Sequence, residues 1–173
     1  MSTRWYFGVV AICLFGGLAR GDDEAIKKTA KARAEECHSA ILKGNYETFT
    51  NLMHPKAVEL MGGKEKLAFH LTAEMKEMKA RGVELKSFRV SDPTDPVAVG
   101  KELYLLVPAV LEMKVPDGRL LTDSTMLGVS ADGGKTWVFV NAVKERKDIL
   151  QVIPRLPDAI VLPKQKPPTL FKN

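Results

Sequence analysis

The side chains able to move a proton or grip a ligand are few and scattered. The chain has three histidines and two cysteines. His54 stands directly before Pro55, His70 lies beside an apolar stripe, and His38 follows Cys37. Histidine titrates near neutral pH and serves as a general base or ligand contact. His54 and His70 are therefore candidates, each set against a plainer role. For His54 that role is ending a helix and bonding a backbone group; for His70 it is a satisfied, half-buried histidine. Cys37 needs a base close in space to act as a thiolate. His38 is a poor partner, because successive helical residues point about 100° apart, so Cys37 reads as a small buried hydrophobe. No H-x-x-x-H or C-x-x-C spacing occurs, so no metal site is expected. Gly62-Gly63-Lys64 lacks the rest of a phosphate loop, and G-x-S-x-G is absent, so no cofactor is implied.

The best-specified stretch is Ser130-Ala-Asp-Gly-Gly-Lys-Thr-Trp137. Gly133 and Gly134 tolerate the positive φ that hairpin turns need. Ser130 and Asp132 can accept hydrogen bonds from turn amides, and Trp137 opens the strand that follows. These five residues form a structural hairpin. The stretch also matches the S-x-D-x-G-x-T-W pattern called an Asp-box, familiar from sialidase-like β-propellers. It occurs once here, and the chain is too short for several four-stranded blades. A carbohydrate-binding propeller would need those repeats.

Around this hairpin the hydrophobic period changes once. Residues 22–43, 46–53 and 64–80 carry apolar positions at helical spacing. Residues 56–60 read as a brief extended or irregular bridge. From Val83 the pattern alternates. Val83–Ser91 reads as a strand with a bulge between Leu85 and Phe88. Glu102–Val115 is the longest strand candidate, with Leu103, Leu105, Val107, Ala109, Leu111, Met113 and Val115 on one face. Tyr104, Leu106, Pro108, Val110, Glu112 and Lys114 lie on the other. Pro108 cannot donate to a central ladder, which predicts a bulge or bend. Arg119–Ser130 follows, with Leu121, Asp123, Thr125 and Leu127 on one face. Asp148–Val152 reads as one helical turn. Five prolines in the last twenty residues keep the tail from being a helix. It should run extended over the surface, with Ile160, Val161 and Leu162 docking it onto the sheet.

Met1–Gly21 reads as a secretory signal peptide: Arg4, an apolar run from Trp5 to Leu18, then Ala19-Arg20-Gly21 before Asp22. The expected destination is periplasmic or extracellular; an uncleaved membrane anchor is the weaker reading, since the run is short for a span. Loss of this leader lowers the net charge from +5 to +3, because Arg4 and Arg20 leave and no acid does. That is an ordinary surface rather than a nucleic-acid footprint. The remaining chain divides into one domain over residues 22–150 and a Pro-rich tail over 151–173.

Helices followed by a meandering antiparallel sheet make an α+β fold. The order resembles the nuclear transport factor 2-like superfamily, a cone-shaped fold shared with ketosteroid isomerase and polyketide cyclase-like proteins. The resemblance rests on Lys43-Gly44-Asn45-Tyr46-Glu47, Met53-His54-Pro55, Gly62-Gly63 and Gly-Gly-Lys-Thr-Trp-Val-Phe-Val, and spans Ala25 to Asn141. It implies helices packed on a strongly curved sheet, a mostly apolar pocket at the wide end, and homodimers through the sheet. His54, His70, Tyr104, Met113 and Asp123 are the candidates to line that pocket. The first reading is an exported protein that holds a small apolar ligand or pairs through its sheet. The alternative is an isomerase, dehydratase or cyclase moving a proton with His54 or Asp123. It requires His54, Tyr104 and Asp123 to converge on one cavity.

Overall fold

The computed structural model describes residues 19–172. Of the expected leader, residues 1–18 lie outside that part. No helix among the described residues is long and apolar enough to cross a membrane.

Four helices precede the sheet: α1 (Ala19–Leu42), α2 (Tyr46–Leu52), α3 (Pro55–Leu60) and α4 (Lys64–Ala80). The Asn45 side chain caps α2 by accepting from Thr48 N at 3.1 Å. The bridge expected over residues 56–60 is in fact α3. Pro55 sits at its first position, where a missing N–H costs nothing. His54 is its N-cap, with Nδ1 accepting from Lys56 N at 3.2 Å. The His-Pro pair thus ends one helix and starts the next.

The strands are β1 (Glu84–Val90), β2 (Val97–Val99), β3 (Glu102–Val115), β4 (Gly118–Ser130), β5 (Val138–Asn141) and β6 (Thr169–Lys172), with α5 (Arg146–Val152) after β5. They form one open antiparallel sheet in the order β1-β3-β4-β5; β2 also pairs with β3, and β6 with β4. The bulge expected in β1 lies between Leu85 and Ser87. The bulge expected at Pro108 is absent: β3 and β4 pair without a register shift from Leu103↔Ser130 to Val115↔Gly118. The reason is where β1 stops. Beyond Val90, Ser91 N donates to the Pro108 carbonyl at 2.8 Å, and the proline ring stands where a return donor would otherwise be needed.

Strand parity divides the core between two faces. Leu105, Val107, Met126 and Phe139 point to the inner face, where they pack with Ala30, Ala34 and Cys37 of α1 and with Trp137. Tyr104, Leu106, Leu127, Val129 and Val140 point to the outer face. The outer face is covered by the chain after the sheet: Ile149 of α5, then Ile153, Leu156 and Ile160. Residues 153–168 form a strap that crosses this face and leads to β6. Ile160 and Leu162 dock as expected, whereas Val161 is 77% exposed. Each fully buried aliphatic or aromatic side chain contributes about 1.5–3 kcal/mol, so the strap is part of the core.

Candidate functional site

The expected site residues do not converge on one cavity: Asp123 lies apart, while the Glu102 carboxylate that bonds Tyr104 also acts on His54. His54 is half-buried at the start of α3, and its backbone N donates to Phe139 O at 2.8 Å. Burial lowers its pKa, and the Glu102 carboxylate partly opposes the shift. Tyr104 is 1% exposed. Its hydroxyl donates to Glu102 Oε2 at 2.6 Å. Burial first, and then that bond to Glu102, push its pKa up to about 12. Asp123 is an exposed outer-face residue paired with Lys166 Nζ at 3.1 Å. Tyr104 and Asp123 share the outer face, but Tyr104 pairs with Val129, six positions along β4 from Asp123. At about 3.3 Å per residue that is roughly 20 Å. His70 is exposed on α4 rather than half-buried, in edge contact with Phe69. Met113 pairs with Leu120 near the far end of the β3–β4 hairpin.

The Ser130–Trp137 turn makes the bonds that the sequence indicates, but β5 begins at Val138, so Trp137 belongs to the turn rather than opening the strand. Asp132 Oδ1 accepts from Ser130 Oγ at 2.8 Å, Thr136 N at 2.9 Å and Lys135 N at 3.1 Å, while Oδ2 accepts from Thr136 Oγ1 at 2.7 Å. The bonds from Thr136, backbone first, with that from Ser130, hold the Asp132 carboxyl at about 2. Gly134 has φ 91°, and a Cβ there would meet Ile26 of α1 at 2.9 Å. Trp137 Nε1 donates to Gly134 O at 3.1 Å and to Thr29 Oγ1 of α1 at 3.2 Å. The Ser130, Asp132 and Thr136 side chains close the turn on itself, and Trp137 with the Gly134 carbonyl fastens it to Thr29 of α1.

Cys37 and His38 are both buried. Burial raises the Cys37 thiol to about 12, so it is no nucleophile. Burial lowers His38 to about 4, against a smaller pull from the Ala34 carbonyl. Its ring stacks on Phe88 at 4.1 Å, and Nδ1 makes no well-formed hydrogen bond. No group of His, Cys, Asp and Glu among the described residues is placed to hold a metal ion.

What the outer face does contain is a groove beneath the strap. A cavity of about 360 Å³ lies between the sheet and residues 163–166. Leu106, Pro108, Val110 and Thr125 form its floor, and Val143 and Pro163 form walls. The Asp123–Lys166 pair stands beside it. A second, more open cavity of about 760 Å³ adjoins it, sharing Val143, Pro163, Lys164 and Gln165. Arg146 of α5 holds this region together. Its guanidinium donates to Ile160 O at 3.0 Å, Leu156 O at 3.0 Å and Asp158 Oδ1 at 2.9 Å. The strap residues of the groove carried no signal as site residues, since nothing local distinguishes them from a solvated tail. The clue lay in β3, whose outer face is apolar from Tyr104 to Val110 although its ends carry Glu102, Glu112 and Lys114. No family model, curated protein or solved structure matches this chain.

Proposed function

We propose that this is an exported binding protein on the plan of the nuclear transport factor 2-like cone, and that it holds a small, largely apolar ligand. The observation that carries the reading is the groove of about 360 Å³ between the outer sheet face and the strap. Its size and its mix of apolar floor and few polar groups fit a small-molecule site. The proton-transfer alternative draws less support, because His54, Tyr104 and Asp123 are each committed to a different partner.

The test uses a neutral probe, 1-octanol, followed by amide chemical shifts on the full chain. Shifts confined to Leu106, Val110, Thr125 and Val143, saturating with a Kd of about a millimolar, support the groove. Val110→Trp, which fills it, should abolish them while leaving the thermal midpoint nearly unchanged. Absence of saturable shifts, or shifts confined to α1 and α4, would overturn the reading.

A further inference from the structure

The charges around the two neighbouring cavities do not cancel. Each carboxylate that lines either cavity already has a cation. Asp123 pairs with Lys166 at 3.1 Å, Asp158 with Arg146 at 2.9 Å, and Glu145 with Lys147 at 2.6 Å. Lys144 and Lys164 line the larger cavity, and neither has a carboxylate partner among the described residues. Asp148 borders a separate cavity with Lys144 but makes no ion pair with it. Lys164 also lines the smaller cavity, where the apolar floor lies. The two spaces thus share a wall: the smaller has the apolar floor, and two lysines without carboxylate partners line the larger, one of them reaching both.

We infer that the groove selects an amphiphile with a single negative charge, of the class of small aliphatic carboxylates. The head group lies toward the larger cavity, against Lys164 and Lys144, and the aliphatic body lies on Leu106, Pro108 and Val110. This rests on the reading of the groove as a ligand site and adds the sign of the ligand's charge. A cationic amphiphile meets two like charges at the same place. A neutral one gains the floor and nothing from the lysines. Both ammonium groups are exposed, so each adds little alone, and together they give a preference of about tenfold. The preference should shrink in high salt, since exposed charges are screened.

Calorimetric titration of the full chain with octanoate, octanol and octylamine separates the possibilities, because the three share one chain and differ in head-group charge. Octanoate should bind about tenfold more tightly than octanol, and octylamine more weakly than both. The double variant Lys144→Gln/Lys164→Gln should bring octanoate down to the affinity of octanol. An unchanged thermal midpoint reports that the variant is folded. Equal affinity for octanoate and octanol in the wild type, or a preference that survives the double substitution, overturns the charge selectivity and leaves the groove standing. No binding by any of the three overturns the groove itself, and this inference with it.

Discussion

His38 is a buried histidine whose Nδ1 has no well-formed hydrogen bond. It is 5% exposed, stacked on Phe88, and held at about 4 by burial. The folded state therefore favours neutral imidazole. Above its ordinary value of 6.5 neither state carries the proton. Between 6.5 and about 4 the unfolded chain takes the proton and the folded chain does not, so stability falls as pH drops. Below that window both states are protonated and the loss levels off. The full effect is on the order of 3 kcal/mol. Urea midpoints of wild type and His38→Leu, compared at neutral pH and at about pH 4.5, should show the wild type losing more stability by that order. Equal losses in the two proteins would mean that His38 gains water or a partner on protonation. The sequence placed His38 next to Cys37 on a helix and could not show which side would be covered. That depended on Phe88, fifty positions away in the chain and on a different element.

Helices and strands with strong local signals were readable; those defined by a distant partner were not. The helices over residues 46–53 and 64–80, the bulge in β1 and the Ser130–Trp137 turn follow from spacing and turn chemistry alone. α3 is hidden in the sequence because a proline signals a helix end as readily as a helix start, and here Pro55 takes the first helical position. β2 and β6, with three and four residues, have no period of their own and exist because β3 and β4 offer edges. The strap's course is fixed by side chains outside it, chiefly Arg146. Arg146→Ala should cost about 2 kcal/mol, the usual worth of a charge-assisted bond left unmade. It should also speed amide exchange at Ile160, whose N donates to Pro157 O at 3.0 Å, without changing exchange in β3 and β4. Exchange at Ile160 as slow as in the wild type would show that apolar docking alone holds the strap.

A sheet covered on both faces makes the segment beyond residue 152 part of the cooperative unit rather than an appendage. Ile153, Leu156 and Ile160 are 4%, 6% and 3% exposed. At about 1.5–3 kcal/mol each, they supply an amount comparable to the 5–15 kcal/mol that holds a typical domain together. A chain ending at Val152 should therefore lose its sharp thermal transition in circular dichroism. One ending at Gln165, which loses β6 and keeps all three, should retain it. A melt for the shorter chain within a few degrees of the full one would place the strap outside the folding unit. The same cover limits association: a second copy pairing through the sheet would have to use the far half of the β3–β4 hairpin, where Leu111 and Met113 are only half-buried.

The order of these parts along the chain also sets an order in time. Synthesis proceeds from the amino end, so the sheet is made before the strap that covers it. Until residues 153–160 have emerged, Tyr104, Leu106, Leu127, Val129 and Val140 present an open apolar surface. A half-made chain is thus unable to close, and it is the form that chaperones and aggregation act on. On the export route proposed above, a core that cannot be completed early would keep the polypeptide threadable until its later segments arrive.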